Sequence, residues 1–180
     1  MSHRLILFRG MNTGGIRAPV GEQRAMAEAL GLKNPRTLLA SGNLVVESDR
    51  DPRALETAIE AETEKRFGRV IETIVRTPEE WAALIKANPF PKEAKAEPAK
   101  LLAMVMKGDI PPGAVDYMRG FAEGDEKAAS SDGVLWFWHP DGIGRSKMAM
   151  KGDPRRIGMG TARNWNTVMK LAAMVGLQEE

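Results

Sequence analysis

Cysteine is missing from all 180 residues, which removes disulfides, thiolate zinc sites and cysteine nucleophiles together and suits a reducing compartment. Histidine is nearly missing, with only His3 and His139. His3 lies at the terminus, and one imidazole in the body of the chain cannot make a metal site, so no metal is expected. Aromatic residues are 6% of the chain, including one tyrosine and five phenylalanines, and the signature motif of RNA-recognition domains is missing. No apolar run approaches the roughly 20 residues of a membrane-spanning helix. Met1-Ser2-His3-Arg4 leads straight into Leu5-Ile6-Leu7-Phe8 rather than into a signal-peptide core. The expectation is a soluble, cytoplasmic protein with no membrane partner. No cofactor motif is present either: the one Gly-rich basic segment lacks the G-x-x-x-x-G-K-[ST] spacing of a Walker loop.

What is there suffices for a core. With 43% hydrophobic and 28% charged residues, the chain can build one substantial domain or two small ones sharing a core, without staples. The net charge is +2, too mild to argue nucleic-acid binding from the whole-chain balance. The charge is concentrated, however. Between His139 and Arg163, six cations (Arg145, Lys147, Lys151, Arg155, Arg156, Arg163) face only Asp141 and Asp153, so this window carries +4 and the rest of the chain −2.

Along the chain, Leu5 to Phe8 reads as a strand running into the Gly-rich loop Arg9-Gly10-Met11-Asn12-Thr13-Gly14-Gly15. Glu22 to Leu30 is helical, with Gly31 as its cap. Thr37 to Ala40 and Leu44 to Glu47 read as a hairpin turning at Ser41-Gly42-Asn43. Asp51-Pro52 opens a helix that stops at Gly68, and Val70 to Val75 returns to strand. Thr77-Pro78-Glu79-Glu80 has capping-box spacing before a helix ending at Asn88-Pro89. Pro89 to Lys100 is linker-like, either an exposed connection or a frayed helical turn. Then come a strand, Leu101 to Met106, a helix from Pro111-Pro112, a hairpin of Glu126 to Ala129 with Val134 to Trp138, and a last helix from Ala162 to Val175. This order predicts an α+β protein of two ferredoxin-like, βαββαβ-type halves with antiparallel sheets, the second lacking its closing strand. The expected division is residues 1–76, a helix and linker over 77–100, and residues 101–180.

Five segments together carry a resemblance: Phe8 to Gly15, Ser41-Gly42-Asn43-Leu44-Val45, Asn88-Pro89-Phe90, Asp141-Gly142-Ile143-Gly144-Arg145-Ser146-Lys147, and Thr161-Ala162-Arg163-Asn164-Trp165-Asn166-Thr167. In this order they resemble the bacterial domain-of-unknown-function family 1697, over nearly the whole chain. The resemblance implies an α+β, ferredoxin-like, cytoplasmic bacterial protein and brings no activity, substrate or cofactor with it. The family usually has a helical segment before its Arg-Asn-Trp-Asn motif, whereas Met148 to Gly160 here is short and holds Gly152, Pro154, Gly158 and Gly160.

No arrangement of residues amounts to a catalytic apparatus, so the sites to weigh are binding sites. Gly144, Arg145, Ser146 and Lys147 offer backbone N–H groups, a hydroxyl and two cations, the ingredients for holding phosphate or carboxylate. The alternative is a tight connection with solvated cations. Arg163, Asn164 and Asn166 are expected in the first turn of the last helix, where free N–H groups also favour an anion, or else serve as capping amides. Arg9 and Asn12 follow the first strand, and Arg9 is expected to converge with Arg145, Lys147 and Arg163. The reading is an anionic small-molecule site. The alternatives are nucleic-acid binding, which calls for exposed tryptophans on a sheet face, and a partner or oligomer interface with no ligand.

Overall fold

A computed structural model of the chain describes residues 2–11, 17–39 and 42–177. The chain divides into two compact units, Met1–Trp81 with Leu171–Glu180, and Ala82–Lys170. In the first, the elements run β1 (His3–Phe8), α1 (Val20–Ala29), β2 (Lys33–Thr37), β3 (Asn43–Glu47), α2 (Pro52–Phe67) and β4 (Thr73–Arg76), followed by α3 (Pro78–Lys86), whose C-terminal part belongs to the second unit. The sheet order is β2-β3-β1-β4, with every pairing antiparallel.

Local chemistry explains the longest helix, α2. Asp51 accepts a hydrogen bond from the Ala54 N–H at 2.9 Å, Pro52 supplies the preset first-turn angle, and Gly68 ends the helix in the left-handed region at φ 76°. Such a cap contributes about 1 kcal/mol. Leu55 and Ile59, one turn apart, are fully buried against Ile6, Phe8, Val46 and Val75 of the sheet. Each is worth about 1.5–3 kcal/mol of burial. The α2 residue Glu56 enters the same interface and accepts from the Val75 N–H at 3.0 Å, which locks the helix onto β4.

In the second unit the order is α4 (Pro91–Ala96), β5 (Leu101–Met106), α5 (Ala114–Arg119), β6 (Lys127–Ser131), β7 (Val134–Trp138), α6 (Lys147–Met150), α7 (Pro154–Ile157), β8 (Gly160–Asn164) and α8 (Trp165–Met174), the last turns of α8 counting with the first unit. Its sheet order is β6-β7-β5-β8, again antiparallel throughout. One face packs Leu135 and Phe137 with Met106, Met118, Met148 and Ile157. Trp136 and Trp138, on the other face by the alternation of a strand, are buried too.

Mixed helix and strand with antiparallel sheets agrees with the sequence reading, and β5 falls where it was expected. Three boundaries are corrected. The expected strand Thr37 to Ala40 lies earlier, at Lys33–Thr37: the Leu38 N–H donates to the Asn43 carbonyl, the Asn43 side-chain amide donates to the Leu38 carbonyl, and Leu39 turns out at φ 59°; Ala40 itself is outside the described residues. The expected strand from Val70 starts only at Thr73, since the Ile71 N–H is taken by the Thr63 hydroxyl at 2.9 Å. Most consequential, the expected helix start at Ala162 is a strand. Residues 160–164 pair with β5 as the fourth strand of the second sheet, so that sheet is not incomplete. Gly160, which reads as a breaker, is there because a Cβ would stand 2.6 Å from the Val105 carbonyl oxygen. The region 147–157 holds two single-turn helices rather than one longer one.

Candidate anion-binding site

The basic segment follows β7. His139 leaves the strand buried at 1% exposure, its N–H bonded to the Lys100 carbonyl. Gly142 bonds back to the His139 carbonyl, Ile143–Arg145 forms a single 3-10 turn, and Ser146 caps α6 by accepting from the Ala149 N–H at 3.0 Å. The two ends of this loop meet on one carboxylate. Glu126 Oε2 accepts from Ser146 Oγ at 2.6 Å and from His139 Nδ1 at 2.7 Å, while its Oε1 accepts from the Glu123 N–H at 3.0 Å. Only 6% of the Glu126 side chain is exposed. Burial alone would raise its carboxyl pKa, but the bonds from Ser146, His139 and the Glu123 backbone outweigh burial and hold it below the ordinary value of 4.5.

This constellation of serine, histidine and glutamate is not a nucleophilic triad. The Ser146 proton goes to a carboxylate held below its ordinary pKa, a weak base, and not to an imidazole, and the same oxygen already caps a helix. It is a clamp, pinning both ends of Pro140–Arg145 to the body of the unit. Sequence reading missed Glu126, which stands 13 and 20 residues from its partners and carries no motif of its own.

The expected site residues fare differently. Gly144 and Arg145 are exposed at the tip of the clamped loop, and Arg145 has no ion pair among the described residues. Lys147 is exposed beside them and pairs with Glu123 at 3.0 Å. Ser146 is corrected from ligand contact to clamp and cap, because its oxygen is buried and doubly bonded. Arg163 is corrected from helix start to strand. From β8 its Nη1 donates to Thr161 Oγ1 at 2.6 Å and to the Ala162 carbonyl at 3.0 Å, and desolvation pushes its pKa down to about 10. Asn164 is the cap itself, accepting from the Thr167 N–H at 3.0 Å, and Asn166 is exposed on the first turn of α8. Arg9 is exposed in the first unit, just past β1, where its N–H bonds the Glu72 carbonyl at 2.9 Å; Asn12 lies outside the described residues. Trp136, Phe137 and Trp138 are all buried, so the exposed-tryptophan face that nucleic-acid binding required is not on this strand.

Two further observations bound the chemistry. Among the described residues, no group of three or more His, Asp and Glu is placed to hold a metal ion, and no helix is long and apolar enough to cross a membrane.

A family model described as "Protein of unknown function (DUF1697)" matches residues 1–136, and the chain belongs to that family. Its fold is similar to that of a conserved bacterial protein from Streptococcus pneumoniae, SP0830, with a TM-score of 0.77 at 19% identity over 97% of this chain and 98% of that one. No curated protein matches the chain.

Proposed function

We propose that the protein binds an anionic small molecule, phosphate- or carboxylate-bearing, on the clamped loop of its second unit, with Arg145 as the principal contact, Lys147 beside it and the Gly142–Gly144 backbone close enough to approach the ligand. The observation that carries this reading is the Glu126 clamp. A loop whose two ends are bonded to one buried carboxylate holds its tip in place before any ligand arrives, which reduces the ordering cost of binding. Arg145 gains nothing structural from that arrangement, being exposed and without an ion pair among the described residues, so a display role accounts for it better than a stability role. We also read each four-stranded unit as a ferredoxin-like half, on the strength of the strand orders β2-β3-β1-β4 and β6-β7-β5-β8.

The test is a thermal-shift screen over phosphorylated and carboxylate metabolites and short oligonucleotides, on wild type and Arg145→Ala. A ligand that binds only the native state raises its stability. A small anion that stabilises wild type and not the variant supports the reading. A response confined to oligonucleotides transfers the proposal to nucleic acid, and no response from either class removes it.

A further inference from the structure

A second grouping of cations, on residues other than those of the clamped loop, lies around α5 and α7. Arg156 places its guanidinium carbon 4.5 Å from the centre of the Tyr117 ring, and Lys151 places its ammonium 5.4 Å from the centre of the Phe121 ring. The two rings touch edge to face at 5.2 Å, so both cations rest on one continuous aromatic pair. Neither Lys151 nor Arg156 forms an ion pair among the described residues, and both are exposed. Next to Arg156, Arg155 is held by Asp153 through two side-chain bonds of 3.2 and 3.0 Å. Tyr117, Asp153, Arg155 and Arg156 together border an open depression of the surface.

We propose that this open basic and aromatic surface binds a nucleoside monophosphate or another planar phosphomonoester. Three features argue for that class. An exposed guanidinium 4.5 Å over a tyrosine ring offers a surface on which a flat base can rest, as arginine planes do in nucleic-acid recognition. Arg155, fixed in orientation by Asp153, can give a charge-assisted bond to a phosphate oxygen. The depression carries two arginines and one aspartate, an excess of one positive charge, which suits one phosphomonoester better than a chain of phosphates. The proposal rests on residues other than those of the clamped loop and does not depend on that reading.

Isothermal titration calorimetry with adenosine 5′-monophosphate, inorganic phosphate and adenosine, each up to about 5 mM, tests it. The monophosphate should bind at least about tenfold more tightly than phosphate or adenosine alone, since both stacking and charge contribute. Arg156→Ala should weaken it about tenfold or more, and Arg156→Lys, which keeps the charge and loses the plane, should restore less than half of the lost binding free energy. Lys170→Ala, which deletes an exposed charge outside both groupings, should leave it unchanged. Thermal denaturation of each variant shows that it is folded, and Arg156 is exposed enough for substitution. Absence of measurable monophosphate binding overturns the proposal, as does binding no tighter than that of phosphate, or full recovery by lysine, either of which means a charge-only surface. Equal losses from Lys170→Ala and Arg156→Ala also overturn it and assign the ligand to a diffuse basic face.

Discussion

Ser146 donates its hydroxyl proton to Oε2 of Glu126 at 2.6 Å across 20 positions of sequence, and that oxygen is the one to which His139 also donates. Removing either end should therefore cost more than one hydrogen bond. Ser146→Ala deletes a helix cap worth about 1 kcal/mol and a bond to a charged group worth about 1.5–3 kcal/mol. Glu126→Ala leaves both a buried serine and a buried histidine without their partner and should destabilise by about 3 kcal/mol. Urea denaturation of the two single variants and the double variant gives the coupling; a coupling near zero would mean that the clamp is incidental.

The same carboxylate makes a pH prediction with a definite sign. Its folded pKa lies below the ordinary 4.5, so its contribution is complete above about pH 4.5 and is lost as pH falls through the folded value. Glu126→Gln keeps the shape and lacks the titration. The stability difference between wild type and Glu126→Gln should shrink as pH falls below about 4.5. A difference that instead grew on acidification would reverse the assigned direction.

How legible this fold was depended on whether the signal was local. Asp51-Pro52 and Gly68 announce both ends of α2 because a cap acts within three residues, and Thr77 with Glu80 forms the reciprocal box its spacing suggested, at 3.1 and 2.9 Å. Strand β8 was not legible, since its evidence is tertiary: Gly160 is needed by the carbonyl of Val105, 55 positions earlier, and not by its neighbours. The basic loop was visible as charge. What holds it in place was not, because Glu126 is an ordinary glutamate until its distant partners close on it. Tyr117 and Arg156 form a pair for the same reason, one from α5 and one from α7.

Two glycines should separate steric from conformational demands. Gly160 has an ordinary backbone angle, but its missing Cβ lies 2.6 Å from a backbone oxygen, so Gly160→Ala must push β8 away from β5. Gly68 has φ 76° and open space around it. Gly68→Ala should cost about 1 kcal/mol, from the left-handed angle alone, whereas Gly160→Ala should cost about 3 kcal/mol or more. Chemical denaturation orders the two, and amide exchange should place the Gly160→Ala loss in the β5–β8 pairing.

Arg145 and Arg163 carry equal charge and should behave oppositely. Arg163 is desolvated on β8 and donates to Thr161 and to the Ala162 carbonyl, so Arg163→Ala should lower stability by about 1–3 kcal/mol. Arg145 is exposed and has no ion pair among the described residues, and Arg145→Ala should change stability by no more than about 0.5 kcal/mol. Ligand affinity should invert that order. If the clamped loop is the site, losing Arg145 removes a charge-assisted bond and weakens an anion about 10- to 100-fold, while Arg163→Ala has little effect once the folded fraction is accounted for. Titration calorimetry at low and high ionic strength distinguishes the cases, because a formed contact persists in salt and a diffuse field is screened over about 10 Å at 0.1 M. If Arg163→Ala abolished binding in a fully folded protein while Arg145→Ala did not, the site would lie along β8, and the clamped loop would be an element of structure alone.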